Sequence, residues 1–518
     1  MRLNTLPSTL ITFVLLVVAV GSLIYWALQG RAHSYPDAPA GKFACLSYTP
    51  SSGTNKGIKQ DIHAQIDSDL QQLSKRTSCV RTYSVMNGLE YVPAAARKLG
   101  MRVLLGIWIG SNKDANEQEI NRAIAIANTD RDVIDAVIVG NEVLLRREQT
   151  ADVLYGMLVR VRAATQLPVT YADVWAFWLK NPKLAEVSDF VSIHILPYWE
   201  DDPVGVDHAM EHVDAIFQKV QQAFPSKRIY VGEVGWPSAG RQREAANPSL
   251  LNQARFTREF IALATRLNLP YNFIEAYDQP WKKSLEGTVG GYWGLYDAQG
   301  REKFPLIGTV TADAQWWRGP ISGAIVGLML LLLTRSVAAS HALSRIDIAL
   351  AGISLGCIGV MQWDYLWRSN QNWFEWLVMG SWTLLCYALC LLNLLGWPSR
   401  RPKIWNGLLT ALLISLAYIN LGLVFDARYR DFPSVFLLSP AVLLVLKGTQ
   451  GAVIVRSGEG LLLSIWLLAS SLAIASIEHL NNGSALGWCA LTALLGLRLL
   501  FDSRCITGRI AGTRTVHQ

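Results

Sequence analysis

The sequence predicts an α/β protein built around a closed (β/α)8 TIM barrel, with transmembrane helices before and after the barrel. Between residues 43 and 277, short runs of β-branched and aromatic residues alternate with amphipathic helical patterns, which is typical of such a barrel. After residue 320, apolar runs long enough to cross a membrane follow one another to the end of the chain. A chain of 518 residues is also too long for one ordinary domain.

The eight predicted strands are largely apolar, as strands covered by helices in a parallel sheet should be. They are Phe43–Tyr48, Cys79–Ser84, Arg102–Ile109, Ala136–Val143, Val169–Val174, Phe190–Tyr198, Ile229–Trp236 and Tyr271–Tyr277. Apolar residues at helical spacing predict the helices between them. These are Gln60–Lys75, Tyr91–Leu99, Ala115–Ala127, Thr150–Ala164, Asp207–Ala223 and Pro248–Leu267, with a shorter turn at Asn181–Glu186 and a last helix at Phe304–Trp317.

One apolar run precedes the barrel and seven follow it. Leu6–Leu28 is longer than the apolar part of a usual signal peptide, so an uncleaved membrane anchor is predicted rather than a removable leader. The later spans are Ile321–Ser340, Ile346–Trp367, Phe374–Trp397, Ile404–Phe425, Phe432–Leu446, Leu461–Ile477 and Ala485–Phe501. Phe432–Leu446 is short and contains Pro440, so a re-entrant segment is an alternative there.

The charge of the chain is concentrated in its membrane part. The whole chain carries a formal +7, and residues 320–518 hold 14 Lys and Arg against 8 Asp and Glu. This excess lies mainly in loops that an inside N-terminus would place in the cytoplasm, as the positive-inside rule requires. The charge therefore indicates a multi-span membrane protein rather than one that binds nucleic acid, and it places residues 30–318 outside the cytosol. The predicted domains are an anchor at 1–30, the barrel at 40–318 and a membrane domain at 320–518.

The seven cysteines divide between the two parts of the chain. Most lie in apolar spans, where a buried cysteine acts as a small hydrophobic residue. Cys45 and Cys79 fall on neighbouring predicted strands of the external domain, where a disulfide could persist. Two free buried cysteines are the expectation, and the disulfide is the alternative.

Two predicted strands finish in a glutamate. Ala136–Val143 carries Glu142, and Ile229–Trp236 carries Glu233. The carboxyl ends of barrel strands meet at one face, where the active sites of this fold lie. Paired carboxylates at that face are the equipment of a glycosidase. Structural ion pairs are the alternative explanation for the two glutamates.

Three motifs, in this order along the chain, resemble glycoside hydrolase family 17, the β-1,3-glucanases and related transglycosylases. Val139–Val143 (VGNEV) resembles the acid/base motif of that family, and Gly232–Ser238 (GEVGWPS) resembles its nucleophile motif. Phe273–Lys282 (FIEAYDQPWK) resembles the last barrel strand of its fungal and bacterial branch. The resemblance covers about residues 42–310 and is to the membrane-anchored bacterial type.

The resemblance implies a retaining mechanism, with Glu233 as nucleophile and Glu142 as acid and then base. The negative charge of Glu233 is expected to raise the pKa of Glu142 until the covalent intermediate removes that charge. Arg81 and Tyr198 are expected to hydrogen-bond the Glu233 carboxylate. Asn141 is expected to bind the sugar 2-hydroxyl, as in the clan of this family.

Further substrate contacts are expected from polar and aromatic side chains at the strand ends. Trp236 and Trp281 are the preferred candidates for packing against sugar rings, whose C–H faces are apolar. His194 is either a ligand or a core histidine satisfied by backbone, and the sequence leaves both open. The predicted substrate-binding set is Tyr48, Arg81, Asn141, Tyr198, Trp236, Glu275, Asp278, Trp281 and Lys282. The sequence shows no metal-ligand spacing and no phosphate-binding loop, so neither a metal nor a cofactor is predicted.

The preferred function is cleavage of β-1,3-glucan with transfer of the glycosyl unit to a sugar acceptor. Hydrolysis by an endo-β-1,3-glucanase uses the same intermediate, so the catalytic residues do not separate the two. Export of glucan through the membrane domain and a catalytically inactive glucan-binding module are further alternatives. The expected partners are β-glucan oligosaccharides or polysaccharides and membrane lipid, with a glucan synthase as an optional protein partner. The expected location is the bacterial inner membrane, with the barrel in the periplasm.

Overall fold

The computed structural model describes residues 8–38, 42–50, 61–335, 343–425, 431–447 and 457–514. The predicted starts of the first span at Leu6, of the barrel domain at residue 40 and of the first barrel helix at Gln60 lie outside these residues, as does the predicted end of a span at Ser340. The chain divides into two compact units. One comprises residues 33–240 and 245–310, and the other comprises residues 1–32, 241–244 and 311–518. The three predicted domain boundaries stay predictions.

The first unit contains a closed barrel of eight parallel strands within the described residues. The strands are β1 (Leu46–Ser47), β2 (Cys79–Arg81), β3 (Arg102–Ile107), β4 (Ile134–Asn141), β5 (Val169–Val174), β6 (Val191–Ile195), β7 (Ile229–Val234) and β8 (Tyr271–Phe273). They pair in chain order, and β8 closes the barrel by pairing Phe273 with Leu46 of β1. Each predicted run overlaps one of these strands, so the predicted fold class is confirmed.

Helices follow the barrel strands in the order that the sequence predicts. Several begin where a polar side chain accepts a hydrogen bond from the first turn, as Asn112, Thr150 and Ser249 do. Their apolar faces and the strands form one hydrophobic core. The helices are Ile62–Leu73, Val92–Lys98, Lys113–Thr129, Ala151–Thr165, Trp175–Lys180, Leu184–Val187, Ala209–Ala223, Leu250–Leu267 and the short Lys283–Glu286.

The predicted helix Phe304–Trp317 is wrong. The segment contains a short strand, Thr309–Thr311, which pairs with Ala32–Ser34. Three β-branched residues in a row favour an extended backbone, and Gly308 before them adopts a positive φ of 81° that interrupts any helix.

The expectation of two free cysteines in the barrel is also wrong, because Cys45 and Cys79 form a disulfide. Leu46 of β1 pairs with Val80 of β2, so the two cysteines stand opposite each other in the parallel register. Their Cα atoms are 4.4 Å apart, within the range that a disulfide requires. The bridge therefore links the first two strands of the barrel.

The second unit is helical. Its helices within the described residues are Ser8–Gln29, Arg318–Leu333, Arg345–Ser369, Trp373–Leu394, Trp397–Arg400, Pro402–Phe425, Leu438–Lys447, Ser457–Glu478 and Gly483–Arg514. Six helices of the described chain are long and apolar enough to cross a membrane, including the one nearest the N-terminus. Arg318–Leu333 and Ser434–Leu446 are shorter apolar helices at two of the predicted spans. The helices are therefore compatible with membrane insertion.

We expect loss of the disulfide to destabilise the barrel. The bridge closes a loop over a sequence separation of 34 residues, so Cys45→Ser should lower the free energy of unfolding by about 4 kcal/mol. Thermal unfolding of the detergent-solubilised chain, with and without reductant, measures this effect. The reductant should lower the transition temperature of the unaltered protein and leave that of Cys45→Ser unchanged, whereas equal responses would contradict the role of the bridge.

Candidate active site

The two glutamates of the predicted pair meet at one end of the barrel. Glu142 directly follows β4, and Glu233 lies near the end of β7. An oxygen of each carboxylate and a ring nitrogen of His194 all lie within 4.8 Å of one another. Retaining glycosidases hold their carboxyl groups about 5–5.5 Å apart, so this separation fits the retaining geometry. The three donor atoms would also suit a metal ion, and the predicted lack of a metal stays a prediction.

The turn after β4 gives Glu142 an unusual backbone conformation. Glu142 has a φ of 53°, in the left-handed region that costs a residue with a side chain roughly 1–2 kcal/mol. Gly140 has a φ of 82°, and a Cβ there would lie 2.6 Å from Cγ2 of Val143. The Glu142 amide donates to the carbonyl of Ala172 at 2.8 Å, which ties the strained turn to β5.

Two donors stabilise the carboxylate of Glu233, whose side chain is almost completely buried. The Tyr83 hydroxyl donates to Oε1 of Glu233 at 2.9 Å. Arg81 lies 3.4 Å from the same oxygen through Nη1, and it also donates to the Gly232 carbonyl and to Oδ1 of Asn141. Arg81 thus connects the two strands that carry the glutamates, because Gly232 precedes Glu233 and Asn141 precedes Glu142.

The proton of Tyr83 is directed toward Glu233 by a chain of hydrogen bonds through the barrel. Asn272 donates from Nδ2 to Oγ of Ser47 at 2.7 Å, and Ser47 lies 2.7 Å from the Tyr83 hydroxyl. A carboxylate only accepts, so Tyr83 must donate to Glu233 and accept from Ser47. The predicted site residues do not include Tyr83. The signal was its position two residues after Arg81, on the same side of an extended chain.

His194 lies between the two carboxylates. Its Nδ1 is 2.8 Å from Oε1 of Glu142, and its Nε2 is 3.7 Å from Oε1 of Glu233. The register explains this position, because His194 on β6 pairs with Glu233 on β7. The sequence left open whether His194 is a ligand in the site or a core histidine satisfied by backbone. The structure supports a place in the site.

The expected rise in the pKa of Glu142 is wrong. Burial acts to raise the pKa, but the hydrogen bond with His194 outweighs it, together with the charges of His194, Arg146 and Arg81. The pKa of Glu142 is therefore below its ordinary value. The expectation considered only the like charge of Glu233 and left out the histidine between the two groups.

The segment after β8 forms a polar and aromatic wall. Lys282 pairs with Oε2 of Glu275 at 2.7 Å, and burial raises the pKa of Glu275 to about 7. Oε1 of Glu275 is buried and has no hydrogen-bond partner among the described residues. Trp281 is 43% exposed, with its Nε1 held by Oε1 of Gln279. Glu286 is a neighbour that sequence reasoning missed, and its raised pKa reflects burial offset by Lys282.

Three residues of the predicted substrate-binding set have other partners in the structure, and their contacts with substrate stay predictions. Ser47 faces the barrel interior, so the next residue, Tyr48, faces the helices and donates to Asp69 at 2.9 Å. Trp236 is 0% exposed, and its ring packs against Phe256 in the core rather than facing the pocket. Asp278 is buried and accepts hydrogen bonds from Lys303 and from the amide of Gly294, both at 2.9 Å. These three side chains hold the barrel together.

The predicted contact between Tyr198 and Glu233 stays a prediction. Tyr198 is buried, and its ring packs edge-on against Trp199 and Trp293. Asn141 is partly exposed beside Glu142, and its predicted contact with a sugar hydroxyl also stays a prediction.

Comparison with known proteins finds a family model that this domain matches. Residues 45–294 match the BtgE/BtgC glycoside hydrolase domain. This part of the chain is therefore similar to the glycoside hydrolases of that family. The predicted resemblance to glycoside hydrolase family 17 and the prediction of an enzyme are confirmed at this level. The membrane-anchored bacterial type stays a prediction.

Several relatives of this glycoside hydrolase are known. A glucan 1,3-beta-glucosidase of Schizosaccharomyces pombe is 27% identical over 280 residues, which cover 51% of this chain and 85% of the relative. A glucan 1,3-beta-glucosidase of Saccharomyces cerevisiae is 25% identical, covering 46% and 84%. The structure of a Rhizomucor miehei β-1,3-glucanosyltransferase mutant with laminaritriose is 27% identical, with a TM-score of 0.45, covering 52% of this chain and 98% of that one.

We expect Tyr83→Phe to lower glycosidase turnover about 10- to 100-fold, because a hydrogen bond to a charged group contributes about 1.5–3 kcal/mol. The matched control is Tyr48→Phe, because the Tyr48 hydroxyl contacts Asp69, away from the two glutamates. Tyr48→Phe should keep turnover within about twofold and lose about 1–2 kcal/mol of stability. Steady-state kinetics and thermal unfolding measure both effects, and equal turnover of the two variants would contradict the placement of Tyr83.

Proposed function

We propose that the chain is a retaining β-glucan-active enzyme that cleaves β-1,3-glucosidic bonds and transfers the glycosyl unit to a sugar acceptor. The observation that carries the proposal is the approach of Glu142 and Glu233 to within 4.8 Å at one end of the barrel. The substrate class is supported by two relatives that are both glucan 1,3-beta-glucosidases.

Glu233 is the nucleophile of the proposed first step. Its carboxylate oxygen attacks the anomeric carbon and forms a glycosyl ester as the glycosidic C–O bond breaks. The departing oxygen takes the proton of Glu142. Arg81 and Tyr83 hold the Glu233 carboxylate in position by the contacts at 3.4 and 2.9 Å.

Glu142 reverses its role in the second step. The acceptor hydroxyl gives its proton to the Glu142 carboxylate and attacks the anomeric carbon, which breaks the ester and frees Glu233. The lowered pKa of Glu142 favours the ionised form that this step needs. As an acid in the first step, Glu142 works only at pH values low enough to protonate it, so activity should fall as pH rises.

Transfer rather than hydrolysis is the proposed outcome, and the proposed location is the bacterial inner membrane with the barrel in the periplasm. Two observations support the location. Six helices of the described chain are long enough to span a membrane, and the Cys45–Cys79 disulfide suits an oxidising compartment. An enzyme held at the membrane where a glucan emerges would meet growing sugar chains as acceptors, with membrane lipid and a glucan synthase as proposed partners.

Product masses test the proposed reaction. Laminaripentaose incubated with the full chain in detergent should give oligosaccharides both shorter and longer than the substrate. Glu233→Ala should lower this turnover by at least about 1,000-fold, the order of magnitude seen when an enzyme loses its nucleophile. The variant should still bind the oligosaccharide. Shorter products alone would assign hydrolysis, and turnover that survives Glu233→Ala would overturn the mechanism.

The pH profile tests the place of His194. In His194→Gln the ring no longer lowers the pKa of Glu142, so that pKa should rise toward the value that burial favours. A general acid is active when protonated, so the alkaline limb of kcat/KM should move to higher pH. His212→Gln is the matched control, because His212 contacts Glu200 at 3.1 Å and neither carboxylate of the pair. An alkaline limb that stays in place in His194→Gln would contradict the role of the histidine.

A further inference from the structure

Trp108 is an exposed aromatic residue at the carboxyl end of β3. It directly follows Ile107, which pairs with Val139 of β4, so the register places it beside the turn that carries Glu142. Its side chain is 40% exposed, whereas Trp236 at the end of β7 is completely buried. A large aromatic ring left open at the active-site end of a barrel is available to a ligand.

One face of the Trp108 ring is covered by a cation. The guanidinium carbon of Arg146 lies 4.3 Å from the ring centroid, which is a cation–π contact. Arg146 itself is fixed by three acceptors. It donates to Oε2 of Glu148 at 2.6 Å, to the carbonyl of Ile109 at 3.1 Å and to the carbonyl of Asn141.

These contacts hold Arg146 against one side of the ring, while Trp108 stays 40% exposed. Ile109 follows Trp108 and Asn141 precedes Glu142, so Arg146 joins the backbone of both strand ends. The backbone amide of Arg146 also donates to the carbonyl of Glu142 at 2.9 Å, which places Arg146 and the Trp108 ring beside Glu142. A flat apolar face held beside Glu142 matches the C–H face of a glucose ring.

We propose that Trp108, backed by Arg146, binds the sugar ring on the Glu142 side of the cleaved bond, the site of the leaving group and then of the acceptor. Glu142 exchanges its proton with the oxygen of this sugar in both steps. Acceptor binding there favours attack by a sugar hydroxyl over attack by water. The inference rests on the proposed function and names the residue that decides between transfer and hydrolysis.

The ratio of transfer to hydrolysis tests this inference. The donor is a nitrophenyl β-laminaritrioside, the acceptor is added laminaribiose, and the full chain is used in detergent. Both products arise from one glycosyl-enzyme, so their ratio does not depend on how fast that intermediate forms. Trp108→Ala should need roughly tenfold more laminaribiose to reach the transfer-to-hydrolysis ratio of the unaltered protein. A roughly tenfold change is what the loss of one aromatic stacking contact would cause. Trp108→Phe, which keeps an aromatic face, should need less than about threefold more.

Trp316→Ala is the matched control, since it removes an equally exposed tryptophan from the segment between the barrel and the helix Arg318–Leu333. It should leave the transfer ratio unchanged at a given acceptor concentration. Equal unfolding temperatures show that the Trp108 variants are folded. An unchanged ratio in Trp108→Ala, or a larger change in Trp316→Ala, would overturn this inference alone. If the unaltered protein does not turn over the donor, both the proposed function and this inference are overturned.

Discussion

The site depends on keeping two carboxylates close together in a buried pocket. Like charges at this distance repel, and burial makes each of them less stable as an anion. The barrel offsets this with polar groups fixed on four strands or strand ends. They are Arg81 on β2 with Tyr83 just after it, His194 on β6, Ser47 on β1 and Asn272 on β8. The charge distribution of the pocket is therefore set by the barrel register, which brings these groups to one end.

His194 gives the pair its asymmetry. It lies 2.8 Å from Glu142 and 3.7 Å from Glu233, so it interacts more strongly with the proposed acid/base group than with the proposed nucleophile. Arg81 at the end of β2 and Tyr83 two residues later contact Glu233 instead. Two chemically identical side chains thus receive different partners, which is how one pocket supports two roles.

Much of the fold could be predicted from local patterns along the chain. Side-chain directions and pairings were harder to predict because they depend on contacts between residues far apart in sequence. The eight strands and the two glutamates were predictable because buried strands and polar strand ends leave a local signal. Tyr48 and Trp236 lie at strand ends as predicted, but a strand end does not reveal which face a side chain takes. That choice depends on neighbours such as Ser47, which occupies the interior and turns Tyr48 outward. The Cys45–Cys79 bridge and the place of His194 depend on register between strands, which no single stretch of sequence contains.

Covalent trapping is the most direct test of the central claim that Glu233 and Glu142 act as nucleophile and acid/base across one pocket. A 2-deoxy-2-fluoro laminaribioside with a dinitrophenol leaving group forms the glycosyl-enzyme readily and releases it slowly, so intact-mass and peptide-mapping spectrometry can locate the ester. The account predicts one glycosyl unit per chain, attached to the peptide that contains Glu233. A label on any other residue, or turnover that inverts the anomeric configuration without a label, would contradict it.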